Sequence, residues 1–359
     1  MKQTTKSLLF FSAAHFLVDF SCAFIVFSKT PDSSLFYIGL FFYNFCAFAL
    51  QMPLGLLIDR SANVSTVVSM GFLLLLPPLL LPLNPLLLVL MAGLGNALFH
   101  VGGGTCILRQ NPGRCSEPGI FVSTGALGLF AGTLLGKSSG FPIWLLSVLL
   151  LVFALFSSFF GKTTSQTGSQ TAGLELHSSK KQQHLSPALC FSLICLLAVV
   201  ILRSYLGMIL SFDWKSQPSY GLLLIVSIMA GKALGGILAD RFGLWKTGIA
   251  SLAAAALLLL FSGHPTAGIP ALLVFNMTMP LTLSALVRLL PTQPGFCFGL
   301  LTFALFLGFL PVYLGLAPKQ SIFWLYSLLA ILSLLLMALD GIIIYRERRK
   351  SPCRSSPPS

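Results

Sequence analysis

Charge is what this sequence has least of. Of its 359 residues, 22 are Lys or Arg and 9 are Asp or Glu, so 9% carry a formal charge while 56% are hydrophobic and mean hydropathy is +0.91. A soluble domain keeps roughly 25% charged residues to face water, which excludes a soluble enzyme, a nucleic-acid-binding module and a disordered chain. Alternation of apolar and polar residues is missing too, which excludes a transmembrane β-barrel. Only helices remain for a chain that faces lipid. No Gly-x-x-x-x-Gly-Lys-Ser/Thr loop occurs, so ATP is not the expected energy source, and no cofactor is expected. Cysteine is present, at eight residues, but Cys22, Cys46, Cys106, Cys190, Cys195 and Cys297 lie inside apolar stretches, which argues against a disulfide framework.

What is there is apolar sequence in six blocks, 8–58, 64–108, 118–161, 187–239, 247–290 and 295–345. Each is about twice the ~20 residues that one crossing needs, and each is broken near its middle by Pro, Gly, Ser or Lys, as at Pro82-Leu83-Asn84-Pro85 and Ala317-Pro318-Lys319-Gln320. Six hairpins predict an all-α polytopic membrane protein of twelve transmembrane helices. The first run, Leu8 to Ser28, is longer than a signal-peptide core and contains His15 and Asp19, so it reads as a retained span. Residues 162–186, rich in Ser, Thr, Gln and Gly, read as a cytoplasmic linker between two six-helix halves, 1–161 and 187–345, and 346–359 read as a basic tail. With both termini cytoplasmic, the inner segments hold sixteen Lys and Arg residues and the outer loops four, Lys29, Lys137, Lys215 and Lys319. The positive-inside rule then orients the chain in the plasma membrane, or the cytoplasmic membrane of a bacterium.

The halves repeat. Gly55-Leu56-Leu57-Ile58-Asp59-Arg60 returns as Gly236-Ile237-Leu238-Ala239-Asp240-Arg241, an offset of 181, and Asn96, Arg109 and Pro112 have counterparts at Asn276, Arg288 and Pro291. Pseudo-symmetric halves are the architecture of alternating access around a midplane site. The motif, with Gly243 and Lys246 following the second copy, resembles the loop signature of the major facilitator superfamily; in the first copy Ser61-Ala62-Asn63 replaces the expected Gly and basic residues. That resemblance implies the major facilitator fold, with Gly55, Asp59, Arg60, Gly236, Asp240, Arg241 and Gly243 forming a charge latch at the cytoplasmic face. His15-Phe16-Leu17-Val18-Asp19 in the first span, Phe99-His100 in the fourth and Gly125, Gly128, Gly132 and Gly136 in the fifth are similar to the fosmidomycin-resistance branch. The chain departs from that branch at Val18, where Asn is usual, and at Val101-Gly102, where Pro-Glu is usual.

Charges at mid-bilayer depth are functional candidates by default. His15 and Asp19, four apart, share a helix face. A carboxylate beside an imidazole can share a proton; alternatively Asp19 is the structural partner of a buried cation. Arg203 and Lys232 lie in the seventh and eighth spans, and Asp19 and Arg203 are expected to face each other. One negative against two positive charges favours an anionic substrate that Arg203 grips bidentately, although Lys232 has Asp59 or Asp240 as alternative partners. His100 is either a cavity ligand or a packing residue. Asn44, Gln51, Asn96 and Asn276 are cavity amides or interhelical glue, Asp340 is expected at the interface, and His177 and His184 show no metal-site spacing.

The expected function is a secondary transporter, proton-coupled, exporting a small organic anion or drug. Uptake of an organic anion is the alternative within that class, and a polytopic receptor or enzyme the alternative outside it. The expected partners are a small-molecule substrate, protons and the lipid bilayer, with no nucleic acid, and the chain is expected to act as a monomer.

Overall fold

Proline stands at the first position of five helices, where its preset φ fits and its missing N–H has no intrahelical partner to lose. Two of these starts have a side-chain cap as well. Asn84 accepts from the Leu86 N–H at 2.9 Å, and Ser186 from the Leu189 N–H at 3.3 Å. The structure is a computed structural model that describes residues 3–30, 36–60, 63–138, 140–175, 186–318 and 320–350.

The described residues form α1 (Gln3–Lys29), α2 (Phe36–Arg60), α3 (Val64–Leu80), α4 (Pro85–Gln110), α5 (Ser116–Gly136) and α6 (Ile143–Glu175). The second set is α7 (Pro187–Ile209), α8 (Pro218–Phe242), α9 (Leu244–Leu260), α10 (Pro265–Leu289), α11 (Pro294–Tyr313) and α12 (Phe323–Lys350). Ten are long and apolar enough to cross a bilayer; α3 and α9 are shorter. At 1.5 Å per residue, the 17 residues of α9 reach about 25 Å, a little less than the ~30 Å hydrocarbon core. The outer faces carry exposed apolar side chains such as Trp144, Leu155, Leu257 and Leu335, as lipid contact requires. Helix α6 continues to Glu175, into the segment read as linker; residues 176–185, with His177 and His184, lie outside the described residues.

Packing obeys the repeat. In the first half α1 lies on α5, α2 on α4 and α3 on α6; in the second α7 lies on α11, α8 on α10 and α9 on α12. The halves meet where α2 packs on α11 and α5 on α8, again a symmetric pair. The α1–α5 contact explains the glycines of the fifth span. A Cβ on Gly128 or Gly132 would strike the carbonyl oxygens of Phe16 and Phe20, and one on Gly136 would come within 3.0 Å of the Phe24 carbonyl. Small residues let backbones touch where lipid gives no hydrophobic drive for helix association.

Three helices depart from regular geometry; α3 is interrupted at Leu74–Leu75, between Val64–Leu73 and Leu76–Leu80. In α2 a π-helical turn spans Phe45–Ala49, with Leu50 N–H donating to the Phe45 carbonyl at 3.3 Å, and the Gln51 amide donates to the Ala47 carbonyl at 2.5 Å. Helix α10 is interrupted at Met277, immediately after Asn276.

Candidate functional site

Near the middle of the first half, side chains from α1 and α4 converge. His15 Nε2 lies 3.3 Å from Asp19 Oδ2, His100 Nε2 lies 3.4 Å from Asp19 Oδ1, and the two Nε2 atoms are 2.8 Å apart. Each ring is held from behind, His15 Nδ1 by the Phe121 carbonyl of α5 at 2.8 Å and His100 Nδ1 by its own helix's Asn96 carbonyl at 2.9 Å. The Asn96 amide donates to Asp19 Oδ1 at 3.1 Å. Gly125 closes the α5 side, since a Cβ there would meet both Asp19 and His15. His15, Asp19 and His100 are the one place among the described residues where three metal-ligating groups converge, within 4.8 Å. Two nitrogens on a tetrahedral ion with bonds of 2.0–2.1 Å sit about 3.3 Å apart, so the 2.8 Å spacing suits a proton better than a metal ion.

The expected Asp19–Arg203 pair is not made among the described residues. Asp19 uses its oxygens within its own half, on His15, His100 and Asn96. Arg203 is 7% exposed on α7, and both terminal nitrogens are buried without a hydrogen-bond partner among the described residues. Lys232 is half-buried on α8, at the level where α8 crosses Gly119 of α5. It forms no ion pair with Asp59 or Asp240, because those carboxylates are engaged elsewhere.

Both carboxylates reach across to the opposite half. Asp59, at the end of α2, accepts from the N–H groups of Gly295 and Phe296 at 2.9 and 2.7 Å, in the first turn of α11. Asp240, at the end of α8, accepts from Cys115 and Ser116 N–H at 2.8 and 3.0 Å, at the start of α5. Each carboxylate therefore caps a helix of the other half, satisfying free donors at the positive end of its dipole. Arg109 supports Asp59 at 3.3 Å, and Arg114 lies 3.6 Å from Asp240. Glycines admit the approach: a Cβ on Gly55 would strike the Gly295 carbonyl, and one on Gly236 the Cys115 carbonyl. Gly243 ends α8 at φ +97°, a conformation that favours glycine. Arg60 is exposed at the same end, and Arg241 stacks on the Phe242 ring at 5.3 Å. Asp59→Asn with Asp240→Asn is expected to loosen this end, since hydrogen bonds to a charged group contribute about 1.5–3 kcal/mol each. Spin labels at Asn63 and Thr292 should show a population with longer separation that the parent lacks.

The amides divide. Asn44 of α2 donates to the Tyr313 hydroxyl of α11 at 2.5 Å and so joins the halves at the end opposite the latch. Asn276 donates to its own helix, to Leu272 O at 2.8 Å, beside Gly231 of α8. A cavity of about 250 Å³ opens one turn from Asp19, lined by Cys22, Val26, Tyr43, Asn44, Leu129 and Thr133. Asp340, toward the end of α12, is fully buried among helices, accepting from Trp245 Nε1 at 2.7 Å and from Ser192 Oγ, and it ties α7, α9 and α12 together. Trp245 and Ser192 were its signal, two donors on helices that the pseudo-symmetry places beside α12.

No protein-family profile and no curated protein matches the chain. Solved structures do. A crystal structure of the E. coli fucose:proton symporter FucP aligns with a TM-score of 0.58 at 14% identity, over 98% of this chain and 100% of that one. A FucP structure described as a major facilitator superfamily transporter in the outward conformation gives 0.56 at 14%, over 98% and 100%. A bacterial homologue of the iron transporter ferroportin, in the outward-facing state, gives 0.57 at 14%, over 97% and 100%. Twelve helices in two pseudo-symmetric halves, aligned over nearly the whole chain, give this protein the major facilitator fold.

Proposed function

We propose that this chain is a secondary transporter working by alternating access, in which proton movement drives export of a small organic anion. The observation that carries the reading is Arg203, a buried guanidinium whose terminal nitrogens have no partner among the described residues. An unpaired buried charge is strongly unfavourable, and a carboxylate or phosphonate satisfies those two donors together. Lys232 adds a second cation within electrostatic reach of Arg203. His15, Asp19, His100 and Asn96 hold the coupling proton, and Asn44 and Asn276 line or flank the path. The resemblance of His15, Asp19, His100 and the fifth-span glycines to the fosmidomycin-resistance branch supports export of a drug-like compound. The same machinery run down the opposite gradient is uptake.

In this reading both termini and the 162–186 linker are cytoplasmic, supported by the excess of basic residues on that side, so the latch described above closes the cytoplasmic face. The chain acts as a monomer with halves 1–161 and 187–345.

Purified protein in proteoliposomes with an imposed pH gradient, offered a panel of organic anions and neutral sugars, tests the proposal. The expected result is anion movement that a protonophore stops. Movement of sugars alone, or movement indifferent to the gradient, would sink it.

A further inference from the structure

We propose that His15 and His100 hold a single proton between their Nε2 atoms, with Asp19 as its counter-ion, so that loss of the proton drives the two rings apart. This rests on the transporter reading for its purpose, though not for its geometry.

The contacts behind the rings set the tautomers. Both Nδ1 atoms face backbone carbonyls, at 2.8 and 2.9 Å, and a carbonyl only accepts, so both Nδ1 atoms carry hydrogen. A neutral imidazole has one N–H, which leaves each Nε2 as a bare lone pair. Those two nitrogens lie 2.8 Å apart, with the ring planes nearly perpendicular at 89°. Two acceptors at that distance repel; one added proton converts the contact into an N–H···N hydrogen bond of ordinary length. Asp19 is a poorer direct partner, at 3.3 and 3.4 Å, but close enough for its charge to hold an imidazolium. Placing the proton on Asp19 instead would leave the two lone pairs opposed. The resting cluster therefore holds one positive and one negative charge.

The surroundings are consistent with that balance. From α1 come Asp19 and the Cys22 thiol, the latter 3.7 Å from the Asn96 amide; from α4 comes Asn96 itself; α5 contributes the Phe121 carbonyl and the bare face of Gly125. Tyr43 approaches from α2 against Cys22. Lys232 of α8 lies within electrostatic reach of Asp19, His100 and Arg203. No further acid faces the rings among the described residues, so Asp19 alone balances the shared proton.

Release follows from the same contacts. Asp19 is the cluster's most exposed side chain, at 19%, so the proton passes through its carboxylate to cavity water. The lone pairs then face each other unscreened. Gly125 closes the α5 side so nearly that an added Cβ would overlap His15, which directs the rings to separate by displacement of α1 against α4. Proton loss is in this way converted into helix movement.

The test is direct observation of the proton. The chain has 5 histidines, so histidine-selective ¹⁵N labelling followed by solid-state NMR in proteoliposomes gives few signals. The expected spectrum at neutral pH shows one strongly deshielded proton correlated with two ring nitrogens of different histidines, both with protonated Nδ1. That signal is lost in His100→Gln, and weakened in Gly125→Ala, which changes no titratable group. A parent spectrum with bare Nδ1 atoms, or with two bare Nε2 atoms and no shared proton, overturns the proposal. So does a pattern that appears only after chelator treatment, which would place a metal ion between the rings. The parent spectrum decides even if a variant fails to fold. Because no substrate is needed, a negative NMR result leaves the transporter reading standing, and a negative transport assay leaves the shared proton standing.

Discussion

Under the proton-coupled proposal, Asp19→Asn is expected to abolish gradient-driven transport while leaving substrate exchange and binding near parental levels. The amide keeps the shape of the carboxylate, so the contact with Gly125 and the bond from Asn96 both survive. What goes is the negative charge that holds a proton between His15 and His100. Loss of a positioned acid–base group costs on the order of 10²–10⁴ in rate, so the pH-driven flux should fall at least a hundredfold. Counterflow of labelled substrate in the same proteoliposomes should change little, because exchange needs no net proton movement. Normal proton-driven flux in the variant would reduce Asp19 to a structural counter-ion.

Arg203→Met acts on the other ligand. Removing one partner of a desolvated, hydrogen-bonded charge pair costs about 2–5 kcal/mol, so an anionic substrate should bind roughly thirtyfold to several-thousandfold more weakly. Folding should move the opposite way or not at all. The parent buries two guanidinium nitrogens without a partner among the described residues, and Met keeps the apolar stem while removing that burden. Equilibrium binding and thermal unfolding, measured side by side, separate the effects. Parental affinity for anions in Arg203→Met would end the anion reading and favour a neutral or cationic substrate.

The sequence makes the helix count legible because lipid-spanning helices need about twenty residues and their breaks are written in Pro and Gly. Even α3 and α9, too short by length alone, are bounded by such residues at Pro82 and Gly243. The Asp59 and Asp240 positions are legible because the motif occurs twice at one offset; their contacts, each carboxylate capping a helix of the opposite half, depend on a docking between halves that no local pattern records. His15 and Asp19 are legible together as neighbours on one helix face, whereas their meeting with His100 requires the approach of α1 to α4. The same non-locality misdirects the Asp19–Arg203 expectation: charges opposite in sign and similar in depth are paired on paper, but Asn96 and two histidines reach Asp19 first. The π-helical turn at Phe45–Ala49 has no composition signal in an apolar stretch.

The bare backbone contact between α1 and α5 has a mechanical meaning. With glycine facing carbonyl at successive turns, Gly128 on Phe16 and Gly132 on Phe20, the two helices have no side-chain cushion in which to slide. They behave as one stiff strut. Midway along that strut sit His15 and Asp19, and at one tip the first N–H groups of α5 are gripped by Asp240. On the shared-proton proposal, a tilt started by the departing proton would pry at the grip on the tip, with the glycine seam serving as lever arm and the crossing with α8 at Gly119 as fulcrum.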